Sequence, residues 1–269
     1  MMNINKYWRN VSRSCTVNEK PYHFIAWGGS RNSEQEALEN AEKKLVHIID
    51  HFTGKEQSSW DYEYAHSEIR EPIIVEDEKH PDAPEWVITR NRYGALVLNV
   101  ASVVFIDVDC LPGGCLSLGS MKGKEKVLAQ IVHTIERDQL ACKVYETYAG
   151  YRLVLTDRLL TPDAQDSVAV MQKFKSDKLY ATLCLKHECY RARLSPKPYR
   201  IGVDVPKLTI ENYQDPEMVA WVKGYEATSA KYGVCKVVMD APENQVLPEV
   251  KRILEIHDRF CLNVNLPIA

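Results

Sequence analysis

The chain has 269 residues, of which 45% are hydrophobic and 26% are charged, a balance that excludes a disordered or fibrous protein. Its formal net charge is −3, so binding to nucleic acid would depend on a local basic segment. The polar, basic N-terminus lacks the apolar segment of a secretory signal, and no apolar run approaches the ~20 residues of a membrane span. We therefore expect a soluble cytoplasmic protein whose eight cysteines are reduced thiols, without a membrane partner.

The N-terminal part of the chain has the signals of a strand followed by a helix. Residues 22–27 form an apolar, aromatic run that is typical of a strand. Ser33 and Glu36 form a capping box, and the apolar residues after it repeat with the 3.6-residue period of a helix. Residues 53–84 are polar and contain three prolines, which favours an irregular connection with one short strand at 72–75.

The rest of the chain mixes strands and helices. Three short β-branched or apolar runs lie at 86–90, 95–100 and 102–109, and their short connections favour antiparallel hairpins. The elements predicted after them are a helix at 123–138, strands at 142–147 and 151–156, helices at 163–174 and 177–189, an extended stretch at 190–205, a helix at 216–231, a strand at 234–239 and a helix at 248–259. The regular alternation of a doubly wound sheet is missing. The sequence therefore predicts an α+β fold with an antiparallel-rich mixed sheet that is covered by helices.

The length allows one large domain or two small ones. We expect an N-terminal strand-helix region at 1–85, packed on an α+β core with C-terminal helices at 86–269. One continuous domain is the alternative.

An acidic pair ends the apolar run SVVFIDVD at residues 102–109. Side chains alternate faces along a strand, so Asp107 and Asp109 point the same way. Two adjacent carboxylates repel each other unless a cation lies between them, and Mg²⁺ or Mn²⁺ is the usual cation because hard ions prefer oxygen ligands. The alternative is that the strand ends here and an aspartate meets solvent or caps a turn at 111–114. The pattern favours a metal site with Asp107 and Asp109 as ligands.

A dense basic segment, YRARLSPKPYR, occupies residues 190–200. Its cationic residues are Arg191, Arg193, Lys197 and Arg200. Arg191 and Arg193 share a strand face, and the arginine fork matches the geometry of phosphate. Tyr190 or Tyr199 would be able to stack on a base. A solvated basic edge strand that discourages aggregation is an equally supported alternative.

Three further signals are weaker. Arg152 interrupts an apolar strand, so it either faces solvent or pairs with a carboxylate or phosphate. Cys184, His187 and Cys189 are clustered but lack the CxxC spacing with which structural zinc sites usually begin, and we expect thiols here instead of zinc. His257 lies near the end of the last predicted helix, which favours a structural histidine over a catalytic one.

Taken in order, these features resemble the archaeo-eukaryotic primase and primase-polymerase superfamily, as a divergent bacterial or phage group. The resemblance spans about residues 86–206. The motifs that carry it are an apolar strand ending in Asp-x-Asp, a glycine-preceded strand and an apolar residue followed by aspartate, here FIDVD at 105–109, AGYR at 149–152 and GVD at 202–204. The resemblance implies an RRM-like, primase-like core.

It also implies roles for individual residues. Asp107, Asp109 and Asp204 would be catalytic, with Asp107 and Asp109 binding the metal and Asp204 as a third ligand, and the segment at 191–200 would meet triphosphate or template. Arg152 stands where the family has a nucleotide-contacting histidine. Arginine can hold a phosphate, but it cannot act as a neutral imidazole.

The sequence therefore favours a metal-dependent protein that processes nucleotides or nucleic acid by nucleotidyl or phosphoryl transfer. Its cofactor would be Mg²⁺ or Mn²⁺, and its partner a nucleoside triphosphate or single-stranded nucleic acid. The residues expected to hold phosphate are Arg152, Arg191, Arg193, Lys197 and Arg200. Two alternatives stay open: a non-catalytic module that binds nucleotide or single strands, and a bacterial or phage partner-binding protein whose acidic pair is structural.

Overall fold

The computed structural model describes residues 2, 4–54, 68–81, 83–110, 121–263 and 265–269. Within them the predicted α+β class is confirmed, and the strands pair in antiparallel sheets. The strands are β1 (Tyr7–Val17), β2 (Lys20–Ser30), β3 (Ile73–Glu76), β4 (Trp86–Arg90), β5 (Leu96–Val100), β6 (Phe105–Asp109), β7 (Cys142–Thr147), β8 (Gly150–Leu155), β9 (Tyr190–Arg193) and β10 (Cys235–Met239). The helices are α1 (Glu34–Phe52), α2 (Met121–Asp138), α3 (Gln165–Lys173), α4 (Lys178–His187), α5 (Pro216–Ser229) and α6 (Pro248–Cys261).

The chain divides into two compact units, one of Asn3–Pro72 and one that contains Ile73–Ala269. The sequence analysis predicted the boundary between two regions after residue 85. The difference is the short strand β3, which pairs with β4 and so belongs to the larger unit.

The smaller unit is the hairpin of β1 and β2 with helix α1. The hairpin turns at Asn18 and Glu19, whose φ angles of 48° and 63° are the positive values that a tight hairpin turn requires. Helix α1 begins after Ser33, whose Oγ accepts a hydrogen bond from the backbone nitrogen of Glu36 at 3.1 Å, as the capping box predicted. The carboxylate of Glu36 instead accepts hydrogen bonds from side chains before the helix, so only half of the capping box forms.

The larger unit contains two four-stranded sheets, with strand orders β10-β7-β8-β6 and β3-β4-β5-β9. The predicted hairpin of β4 and β5 is present, but the prediction that β5 and β6 also form one is wrong. The connection at 101–104 buries Val103 and Val104 and takes the chain from one sheet to the other. Strand β6 therefore pairs with β8, and the acidic pair lies beside the strand that carries Arg152.

One apolar core joins both sheets to helices α2, α3 and α6. Strand β8 lies between β7 and β6 and is buried over its whole length, and its apolar side chains belong to this core. At its first residue, Gly150, an added Cβ would lie 2.0 Å from the carbonyl oxygen of Val108, so only glycine allows this approach of β8 to β6. None of the helices in the part of the chain that the structure describes has both the length and the apolar character to cross a membrane.

Candidate functional site

A cavity of about 360 Å³ lies where β6 ends and β8 begins. Asp107 and Asp109 both line it, as the alternation of side chains along a strand predicted, while Val108 between them is buried. A third carboxylate, that of Asp177, lines the same cavity from the N-terminus of α4. The backbone nitrogen of Asp177 donates to the carbonyl oxygen of Asp107 at 3.0 Å, which ties this helix to β6. The turn at 111–114, which Asp109 was alternatively expected to cap, lies outside the described residues.

The three carboxylates repel each other. Partial burial raises the pKa of Asp109, and the neighbouring Asp177 and Asp107 raise it further. Lys197 and Arg200 act in the opposite direction but do not cancel these effects. A carboxylate in this situation is stabilised by an added cation.

Arg152 is buried in the wall of the cavity, directly across from Asp107 in the register of β8 and β6. Its Nε donates to Oδ1 of Asp107 at 3.0 Å, and its Nη1 donates to the carbonyl oxygen of Arg193 at 3.1 Å and to Nε2 of His257 at 3.2 Å. Burial disfavours the charged guanidinium, but the surrounding groups, Asp107 foremost, together hold the pKa of Arg152 above its ordinary value. Of the two sequence alternatives, pairing with a carboxylate is the one observed.

A buried chain of side chains continues behind Arg152. Burial and the nearby guanidinium lower the pKa of His257, although Asp258 raises it, and the ring is therefore neutral. Nδ1 of His257 lies 2.9 Å from Oδ1 of Asp258, so Nδ1 carries the proton and Nε2 accepts from Arg152. Tyr145 and Lys143 also donate to the Asp258 carboxylate, at 2.7 and 3.1 Å. His257 is therefore a structural residue, as predicted, but it is buried inside the protein instead of lying at an exposed helix end.

The cationic side of the cavity comes from the basic segment. The residues that line it are Arg193, Lys197 and Arg200. Burial lowers the pKa of Arg193, and the adjacent guanidinium of Arg152 lowers it further. Arg191 is not among the lining residues. Asp204 is exposed, lies outside the cavity, and accepts a hydrogen bond from the indole of Trp221 through its backbone oxygen. Asp177 is therefore the aspartate that the fold brings to the acidic pair.

The two tyrosines of this segment have different environments. Tyr190 is fully buried, with its hydroxyl 2.7 Å from Oγ of Ser167, so the suggestion that it stacks on a base is wrong. Tyr199 lies on a short 3₁₀ turn, Pro198–Ile201, and is exposed.

In the described residues, side chains of the types that bind metal ions come close together at two places. One group of three side chains with ligand atoms within 4.8 Å of one another is Cys235, His257 and Cys261. The sequence contained a signal for part of it, because His257 and Cys261 are four apart on one helix face. Both ring nitrogens of His257 are already hydrogen-bonded, and the Arg152 guanidinium beside Nε2 would repel a cation. A neutral imidazole with both nitrogens hydrogen-bonded, next to a guanidinium, does not suit a metal ion.

A second group of this kind is Asp77, His80 and Glu85. Asp77 accepts hydrogen bonds from the backbone nitrogens of Lys79 and Glu85, and one of its oxygens lies 2.8 Å from Nδ1 of His80. The carboxylate therefore organises a turn.

The carboxylates that line the cavity are those of Asp107, Asp109 and Asp177. They do not form such a compact group in the described part of the chain. Mg²⁺ usually takes only one or two carboxylates and keeps water or phosphate in its other positions, so a magnesium site does not require a compact group of three. Arg152 holds Oδ1 of Asp107. Asp107 and Asp109 are the residues that would hold a cation in this cavity.

Comparison with known proteins gives no family for this chain. It matches no protein-family model, no curated protein and no solved structure. The assignment of a function therefore depends on the geometry and charges of the cavity.

Proposed function

We propose that the cavity binds a nucleoside triphosphate together with Mg²⁺ or Mn²⁺, and that the protein is a nucleotidyl- or phosphoryl-transfer protein of primase-like type. One observation carries the proposal: three carboxylates and several cationic side chains line a single cavity. The cationic side chains complement the charge of a triphosphate, and the metal bridges carboxylates and phosphates in sites of this kind. The free cysteines of the described residues support a cytoplasmic location.

The residues divide into three roles. Asp107 and Asp109 hold the cation, which neutralises phosphate charge when it is bound. Lys197 and Arg200, which line the same cavity, hold phosphate oxygens. Arg152 fixes the orientation of the Asp107 carboxylate. Its Nε donates to Asp107, while its Nη1 is anchored by hydrogen bonds to Arg193 and His257.

Isothermal titration with Mn²⁺ tests the metal site. We expect a saturable heat for the wild type and a loss of more than about tenfold in affinity for the double variant Asp107→Asn, Asp109→Asn, since even the loss of outer-shell partners costs 10–100-fold. The control Asp215→Asn, Glu217→Gln removes the same charge from exposed positions around the start of α5 and should bind as the wild type does. Equal heats for wild type and the cavity variant would contradict the proposal.

A second candidate is a non-catalytic module that binds nucleotide or single-stranded nucleic acid. The ion pair of Arg152 and Asp107 favours it, because a fixed guanidinium occupies one oxygen of a metal carboxylate. Arginine stays protonated at ordinary pH and cannot exchange a proton as histidine does. Primer extension by the wild type with Mn²⁺ distinguishes the two: template-directed synthesis excludes the second candidate, and nucleotide binding without synthesis supports it.

A further inference from the structure

Two exposed tyrosines flank Arg200 at the cationic side of the cavity. Tyr148 lies in the turn between β7 and β8 and is 53% exposed, and Tyr199 is 61% exposed. Cζ of Arg200 lies 4.1 Å from the ring centroid of Tyr148 and 6.0 Å from that of Tyr199. Nζ of Lys197 lies 5.8 Å from the Tyr199 ring. Planar surfaces and positive charge therefore alternate along this side.

These planar groups are continuous with the cationic wall. Tyr148, Lys197 and Arg200 line the same cavity as Asp107 and Asp109. A ligand whose phosphates contact Lys197 and Arg200 would thus have its next group beside the Tyr148 ring. Burial alone would raise the pKa of Tyr199, but Lys197 and Arg200 outweigh it and lower the pKa, which agrees with a positive local potential.

A planar base is the chemical group that suits this surface. Bases stack on aromatic rings and on guanidinium planes, and Cζ of Arg200 lies over the Tyr148 ring. An inorganic phosphate chain would gain nothing from them, because it has no planar face.

Another exposed tyrosine that lies against an arginine provides a control for the effect of removing such a ring outside the cavity. Cζ of Arg92 lies 4.8 Å from the ring centroid of Tyr93, which is 45% exposed, but neither residue lines the cavity. Tyr93 is therefore a matched control for Tyr148.

We propose that Tyr148, with the guanidinium plane of Arg200, is a stacking subsite for the base of the nucleotide whose phosphates occupy the cavity. This inference rests on the proposed function and names the part of the ligand that is recognised outside the phosphates. The subsite offers π-faces to the base, so it accepts purines and pyrimidines with little selectivity.

The test compares two ligands, ATP and tripolyphosphate, each with Mg²⁺. In titrations of Tyr148→Ala, ATP should bind about 5- to 150-fold more weakly, the range that loss of one stacked base gives, while tripolyphosphate affinity is unchanged. Tyr148→Phe keeps the ring and should bind both ligands as the wild type does, and so should Tyr93→Ala.

Other outcomes overturn the inference in distinguishable ways. If Tyr148→Ala weakens both ligands equally, Tyr148 only positions Arg200. If it weakens neither, the base does not stack there, although the phosphate site stands. A wild type that binds neither ligand ends both this inference and the proposed function.

Discussion

At the scale of single residues, the raised pKa of Asp109 gives the site a pH dependence. Because the folded state holds this proton more tightly than the unfolded chain does, the group favours folding at low pH, and that contribution is lost as the pH rises through the raised pKa. Above that pKa, the crowded carboxylate destabilises the metal-free protein.

We therefore expect Asp109→Asn to raise the Tm of the metal-free protein at neutral pH. The gain in Tm should vanish below pH 3.8, the ordinary pKa of aspartate, because the wild-type carboxyl is then protonated in both the folded and the unfolded state. Thermal unfolding at the two pH values measures the effect, with Asp215→Asn as the exposed control. A variant that melts at or below the wild-type temperature at neutral pH would show that the carboxylates do not repel each other as described.

The sequence identified part of this site. Asp107 and Asp109 were predicted because their relation is local, two positions apart on one strand. Asp177 was not, because it approaches the pair only when α4 packs on the sheet. The contact of His257 with Arg152 likewise forms only when α6 packs on the sheet. Proximity of that kind leaves no pattern in a single sequence.

At the scale of secondary-structure elements, the close approach of β8 and β6 at Gly150 is the feature that positions the acidic pair. We expect Gly150→Ala to lower the free energy of unfolding by about 1–3 kcal/mol, since the added methyl group would collide with the backbone at Val108. Denaturant unfolding of the wild type and the variant measures this free energy. Gly224→Ala is the control, because an added Cβ on α5 meets nothing within 4 Å and a helical alanine gains up to about 1 kcal/mol. Equal unfolding energies for Gly150→Ala and wild type would mean that the strands separate without cost.

The elements differ in how far the sequence predicted them. Helices α5 and α6 begin at Pro216 and Pro248 as expected, because proline at the first turn is a local signal. Strand β1 was missed, since most of its residues are polar and its hairpin depends on the turn at 18–19. The predicted pairing partner of β6 was wrong because tertiary packing decides which strands pair.

At the scale of the whole molecule, the net charge of −3 offers no general attraction for a polyanion. If the protein binds a single-stranded oligonucleotide as proposed, we expect the affinity to come from the cationic side of the cavity. Each phosphate contact on a single strand contributes about −0.7 to the slope of log K against log salt.

We expect Lys197→Glu and Arg200→Glu each to weaken oligonucleotide binding and to flatten this slope by about that amount. Arg191→Glu should change the affinity and the slope less, because Arg191 does not line the cavity. Lys223→Glu on the exposed side of α5 is the charge-matched control. Fluorescence anisotropy over a salt series gives the slopes, and parallel slopes for all variants would place the phosphate contacts elsewhere.

The full burial of β8 between two paired strands has a kinetic consequence. Its amides are covered on both edges, so they exchange with solvent only when the whole sheet opens. Arg152 is carried by this strand, and it therefore does not leave Asp107 through local fraying. While the sheet is closed, the guanidinium leaves Asp107 only by a rearrangement of the Arg152 side chain that also breaks its hydrogen bonds to Arg193 and His257.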